Sequence, residues 1–180
     1  MTGIATGSFI EASKTGELGV HSLDTFVMQV PGFKQAQQFF VSFGLDVRER
    51  GQTLELRTFG NDHVWATLVE GQRRKLQYLS FGAYAEDLPR FKQHLEGLGI
   101  RLIDPPPGFE SNGLWFRGHD DVLTEIKVAP KTTLDSKSTP SFVSVPAGRR
   151  GSGLGHIELK QILPTRLAHC LIFTSDVAEA

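Results

Sequence analysis

The chain has 180 residues and a mass of 19.9 kDa; 39% of its residues are hydrophobic, and 19 basic against 20 acidic side chains leave a net charge of −1. That length holds one domain of ordinary size with at most a remnant of another, and the balanced charge gives no field that would favour a nucleic-acid backbone or an anionic membrane surface. The single cysteine, Cys170, excludes an internal disulfide framework and a multi-cysteine metal site. No run approaches the roughly 18 apolar residues of a spanning helix, and residues 1–10 show no basic cluster ahead of an apolar run, so a cytoplasmic location is expected.

Residues 1–22, rich in Gly, Ser, Thr and Ala at the start, read as an N-terminal extension. Residues 23–30 have strand composition and stop at Pro31-Gly32. Apolar residues at Phe33, Ala36, Phe39, Phe40 and Phe43 then follow the three-and-four spacing of a helix with one buried stripe, and Gly44 stands where a left-handed C-terminal cap belongs. Three short strands are predicted at 45–50, 54–59 and 63–70, separated by Gly51-Gln52 and Gly60-Asn61-Asp62.

The same order then returns. A strand at 76–84 leads to a helix at 86–98 with Gly99 at its end, and strands follow at 100–103, 114–116 and 123–128 around a Pro105-Pro106-Pro107-Gly108 loop. Phe43-Gly44-Leu45 matches Leu98-Gly99-Ile100, and Phe26 matches Phe81, both at an offset of 55. The sequence therefore predicts an α+β domain over 23–128 made of two βαβββ units, 23–70 and 76–128. Each unit would leave one sheet face uncovered, and pairing the units would bury that face around a hollow fit for a ligand or metal. Residues 129–165 are dominated by Ser, Thr, Pro, Gly and basic residues and read as a linker, while 166–174 reads as a new strand and 166–180 as the start of an incomplete second domain.

This tandem repeat resembles the vicinal oxygen chelate superfamily, which includes glyoxalases, bleomycin resistance proteins and extradiol ring-cleaving dioxygenases. The tail His169-Cys-Leu-Ile-Phe-Thr-Ser-Asp176 looks like the opening of the catalytic domain of a two-domain extradiol dioxygenase, in which the first strand supplies a histidine ligand and an acidic residue seven positions on opens the helix. The resemblance implies a metal-free first domain and a second domain holding Fe(II), or Mn(II) in some members. There a catechol chelates the metal through both oxygens, dioxygen takes the neighbouring position, and the ring opens beside the hydroxyls.

Carried onto the complete domain, the ligand places of the family fall on Thr25, Tyr78 and Glu125, with the strict repeat offset naming Ser80 in place of Tyr78. Two imidazoles and a carboxylate are needed for a non-haem Fe(II) site, and Thr25 and Tyr78 supply no imidazole. The metal-ligand candidates are thus His169, by resemblance, and Glu125, for which a strand-end carboxylate satisfied by turn amides or a nearby Arg is the plainer alternative. With the remaining ligands of His169 absent from the 180 residues, the chain alone is expected to be inactive and to bind no cofactor.

Other signals carry less. Gly151-Ser-Gly153-Leu-Gly155 lacks the flanking strand and the Lys-Ser/Thr ending of a phosphate loop, and His156 with Glu158 makes two candidate ligands on a linker. Asp120-Asp121 reads as a solvated turn, Arg73-Arg74-Lys75 and Arg149-Arg150 as solubilising charges, and Phe39, Phe40 and Phe43 as core. The functional expectation is an extradiol dioxygenase-like protein acting on small aromatic diols, with self-association or a missing C-terminal half as its partner. Two alternatives remain: a metal-free binding protein of the bleomycin-resistance type that sequesters a small apolar or aromatic ligand, and a glyoxalase or epimerase-like enzyme.

Overall fold

Ser22–Val30 forms strand β1, and Phe33–Phe43 forms helix α1. Gly44 ends the helix at φ 97°, a conformation a Cβ would oppose, and its amide bonds back to Val41 O at 3.0 Å. Strands β2 (Asp46–Arg50), β3 (Thr53–Arg57) and β4 (Ala66–Glu70) complete the first unit. The second comprises β5 (Lys75–Ala83), helix α2 (Leu88–Gly97), β6 (Leu114–Arg117) and β7 (Leu123–Val128). These elements come from a computed structural model, in which residues 16–132, 163–174 and 176 are described.

All seven strands join one mixed sheet in the order β2-β3-β4-β1-β5-β7-β6. Its two halves run alike from the centre outward. β1 pairs with β4 in parallel, as β5 does with β7, and the antiparallel β1–β5 pair is the seam between them. In that seam Thr25 lies opposite Ser80, its own equivalent at the offset of 55, so the local two-fold axis of the repeat passes through this pair.

Side-chain alternation gives the sheet two faces. On one, Val30, Leu54, Leu56, Ala66 and Leu68 pack against Phe33, Ala36 and Phe40 of α1, and Ala83 and Ile126 pack against Phe91 of α2. The other face has its own cluster of Val27, Tyr78 and Trp115, bordered by Val69, Ile103, Phe109 and Leu123.

Three expectations change. Residues 100–103 form no strand; only Ile103 bridges to Trp115, its amide donating to Trp115 O at 2.8 Å. Pro105, Pro106 and Pro107 follow directly, and a run without amide donors cannot extend a ladder. The helical stripe of α1 is narrower than the spacing implied: Phe40 packs inward, whereas Phe39 and Phe43 are 62% and 59% exposed and stack on each other with centroids 6.3 Å apart. Finally, residues 163–174 form no strand. Their contact with the domain is local: Thr58 Oγ1 donates to Thr165 O at 3.3 Å, and Pro164 and Leu167 line an apolar recess with Phe40, Phe43 and Trp65. Strand structure needs a neighbour to complete its hydrogen bonds, and no described strand lies alongside this run. The Gly151–Gly155 pattern, His156, Glu158 and Arg149-Arg150 lie outside the described residues.

Candidate functional site

The sheet seam gathers the three repeat-related positions on adjacent strands. Thr25 faces Ser80 across β1 and β5, and Ser80 faces Glu125 across β5 and β7. Direct neighbours in a ladder project to the same side, and the contacts agree: Ser80 Oγ donates to Glu125 Oε2 at 2.5 Å, with Ser80 fully buried and Glu125 1% exposed. Tyr78 pairs with Val27 one pleat further along, so the strict offset rather than the Tyr78 alignment locates the second position.

Glu125 is held from several directions. Ser111 donates to Oε1, and Ser111 Oγ in turn accepts from Trp115 Nε1 at 3.0 Å and from the Gly113 amide at 3.1 Å. Gly113 sits so close that a Cβ there would come 2.7 Å from Glu125 Oε1. Lys127, two residues on and therefore on the same face, brings its ammonium to 3.9 Å from Glu125 Oε2 and to 2.9 Å from Asp24 Oδ2. Asp24 is 5% exposed and occupies a bulge: Leu23 pairs with Phe81 and Thr25 with Ser80, leaving Asp24 as the extra residue of β1. His63 Nε2 reaches Asp24 O at 2.7 Å, and the imidazole packs edge-on against Trp65.

Electrostatically this is a buried pair of carboxylates with one ammonium between them. Burial pushes the Tyr78 phenol far above its ordinary range, and the Glu125 and Asp24 carboxylates add to the shift. The phenol therefore stays protonated throughout the physiological range. Thr25 Oγ1 is buried without a hydrogen bond.

The residues at the seam do not fit a metal site. A non-haem Fe(II) centre takes two imidazoles and a carboxylate, whereas positions 25 and 80 offer hydroxyls. Both oxygens of Glu125 already accept from serines, and the adjacent Lys127 ammonium would repel a divalent cation. Among the described residues, no three of His, Cys, Asp and Glu group as metal ligands. His169 is exposed within residues 163–174 and is not brought to Glu125 in such a group. Sequence reasoning found Glu125 but missed Ser111, Lys127 and Asp24. Lys127 was accessible from strand alternation; Asp24 was not, because the bulge depends on the partner strand.

The overall fold is similar to those of several solved structures. The fold aligns with catechol 2,3-dioxygenase at a TM-score of 0.55 and 17% identity, over 64% of this chain and 41% of that one. Against the 2,3-dioxygenase LapB from Pseudomonas sp. KL28 the values are 0.53 and 17%, over 61% and 41%. Against the Mn(II)-bound glyoxalase from Novosphingobium aromaticivorans they are 0.50 and 19%, over 59% and 38%. The chain thus has the fold of the vicinal oxygen chelate superfamily.

No family model matches the chain. By sequence it is 35% identical over 161 residues to metapyrocatechase 2 of Cupriavidus necator, a match covering 89% of this chain and 50% of that protein. The chain thus spans about half the length of this curated relative. No helix among the described residues is long and apolar enough to cross a membrane.

Proposed function

We propose that this chain is the front part of an extradiol ring-cleaving dioxygenase. In this reading residues 23–128 form its non-catalytic first domain, 129–165 its linker and 166–180 the opening of its catalytic domain, with a small aromatic diol as substrate. The observation that carries the reading is the extent of the likeness to metapyrocatechase 2. Its 161 matched residues exceed the 106 of residues 23–128, so at least 55 of them lie in the flanking segments. A shared small domain alone would not produce similarity through a linker and tail. The seam geometry supports assigning catalysis elsewhere, since Thr25, Ser80 and Glu125 do not fit the metal that such chemistry requires. His169 would be the first ligand to Fe(II), or to Mn(II), with the others supplied by a second half that is not in the 180 residues.

The test is metal analysis of the purified 180-residue chain with and without added Fe(II), combined with oxygen uptake over a panel of catechols. The expected result is no stoichiometric iron and no uptake from this chain, and both from a protein that continues into a second half like that of the relative. Tight stoichiometric iron with ring cleavage by the 180-residue chain would overturn the reading.

A further inference from the structure

A hollow of about 660 Å³ opens on the α1 side of the sheet, where β1 hands over to the helix. That volume is in the range of small-molecule sites, ~300–1,000 Å³. Val30 and Phe40 of the α1 cluster line it together with Met28, Pro31, Ala36 and Phe39. Arg74, from the connection between β4 and β5, lines it too. Nothing in the seam chemistry or in the ring-cleavage reading uses it.

Three observations give this hollow a ligand preference. The first is charge. Arg74 is the one charged side chain among the described residues of the lining, and it makes no ion pair or side-chain hydrogen bond with any described residue. Gln35 adds a neutral amide, no carboxylate lines the hollow, and the first turn of α1 carries no acidic residue. A lone guanidinium beside an apolar wall attracts a carboxylate, whose two oxygens match its fork of donors, and repels a cation.

Secondly, the wall is incompletely covered. Phe39 keeps 62% of its surface exposed although it lines the hollow, so a guest lying along it would withdraw apolar surface from water on both partners. The third observation is the kind of apolar surface. Phe39 already meets Phe40 edge-on at 5.0 Å and stacks on Phe43, so these rings are packed against each other. What remains is aliphatic and includes Met28, whose unbranched side chain adapts to an irregular partner. Such a wall suits a flexible alkyl chain better than a flat ring. We propose that this hollow binds a medium-chain alkyl carboxylate, its chain along Met28, Val30, Ala36 and Phe39 and its carboxylate on Arg74. It is a binding site only, and its occupancy depends on neither a metal nor ring cleavage.

The test is an amide NMR titration of the 180-residue chain with hexanoate, octanoate, decanoate, octanol and octylammonium, each kept below the concentration at which it self-assembles. Saturable shifts centred on Met28, Gln35, Ala36 and Phe39 are expected with the carboxylates, and affinity should rise about 2- to 4-fold per added methylene. Octanoate should bind more tightly than octanol, and octylammonium more weakly than either. Arg74→Gln should weaken octanoate by about 2- to 5-fold, the range for an exposed ion pair, and leave octanol unchanged. Arg73→Gln, one residue away and outside the lining, should have a smaller effect on octanoate. Phe39→Ser, at an exposed position, should weaken all three carboxylates. Absence of saturation, affinity independent of chain length, equal binding of octylammonium, or unchanged octanoate affinity in Arg74→Gln would each overturn the proposal. None of these outcomes bears on ring cleavage, which is read separately by oxygen uptake.

Discussion

The Lys127 ammonium lies 2.9 Å from Asp24 Oδ2, joining β7 to the bulge of β1 across the intervening β5. Asp24 and Glu125 are both nearly inaccessible, so this one cation lies between two buried carboxylates and offsets part of their charge. Replacing it leaves them facing each other in a low dielectric. Lys127→Met should lower stability by roughly 2 kcal/mol, less than for a fully buried ion pair because the lysine side chain keeps 30% of its exposure. Urea unfolding followed by circular dichroism measures it. The double variant Lys127→Met/Glu125→Gln should recover part of the loss, and simple additivity would show that the two residues do not interact.

The seam register makes a sharper demand. If positions 25, 80 and 125 converge as direct ladder neighbours, then Thr25→His with Ser80→His should set two imidazoles beside Glu125. With Lys127→Ala removing the competing ammonium, the triple variant should take up Mn(II) or Co(II) near one equivalent, where the parent chain takes up none under the same conditions. Equilibrium dialysis with metal analysis decides it. A folded triple variant that fails to bind would refute the placement of these positions on one face.

Helix α1 offers a contrast between neighbours in sequence. Phe40 packs on the sheet cluster with Phe33 and Ala36, while Phe39 and Phe43 stand mostly in solvent. Phe40→Ala should cost about 2–3 kcal/mol. Phe39→Ser or Phe43→Ser should change stability by no more than about 0.5 kcal/mol. Comparable losses at all three positions in chemical denaturation would mean that the stripe is buried as its spacing suggested.

His21 provides a pH dependence. Its imidazole packs on Tyr84 at 4.7 Å, reaches Ala129 O at 3.1 Å and Ser22 Oγ at 2.8 Å, and lies where a Cβ on Gly82 would collide with it. Burial depresses its pKa below the ordinary 6.5, with the nearby Lys131 charge acting in the same direction against two backbone hydrogen bonds and Asp24. A depressed base binds fewer protons in the folded state than in the unfolded one, so its contribution is fully present above the unfolded pKa and is lost as pH falls through the folded value. The thermal midpoint should therefore fall as pH drops below about 6.5, and His21→Gln should flatten that part of the curve. An unaltered slope in the variant would assign the effect to another group.

Much of the fold was legible because its signals are local. The α1 limits, Phe33 to Phe43, and the β7 limits, Leu123 to Val128, follow from helical spacing and strand alternation, and Gly44 from the chemistry of helix ends. The failures share a cause. Residues 100–103 and 166–174 have strand-forming composition, but a strand exists only where a neighbour completes its ladder. The first run meets three prolines, and the second has no described strand beside it. Phe39 and Phe43 mislead because helical spacing defines a stripe without saying how wide the opposing surface is.

The sequence by itself determined the repeat, since an offset of 55 recurs in residues that need no partner to be recognised, and with the repeat came the paired units. The tertiary structure alone decided which residues meet at the seam. Thr25 lies opposite Ser80 rather than Tyr78 because of the β1–β5 register, and the bulge turns Asp24 toward Lys127. Register and bulges arise from pairing between strands some 55 residues apart, and a one-residue slip reverses every side chain. No local pattern encodes that choice.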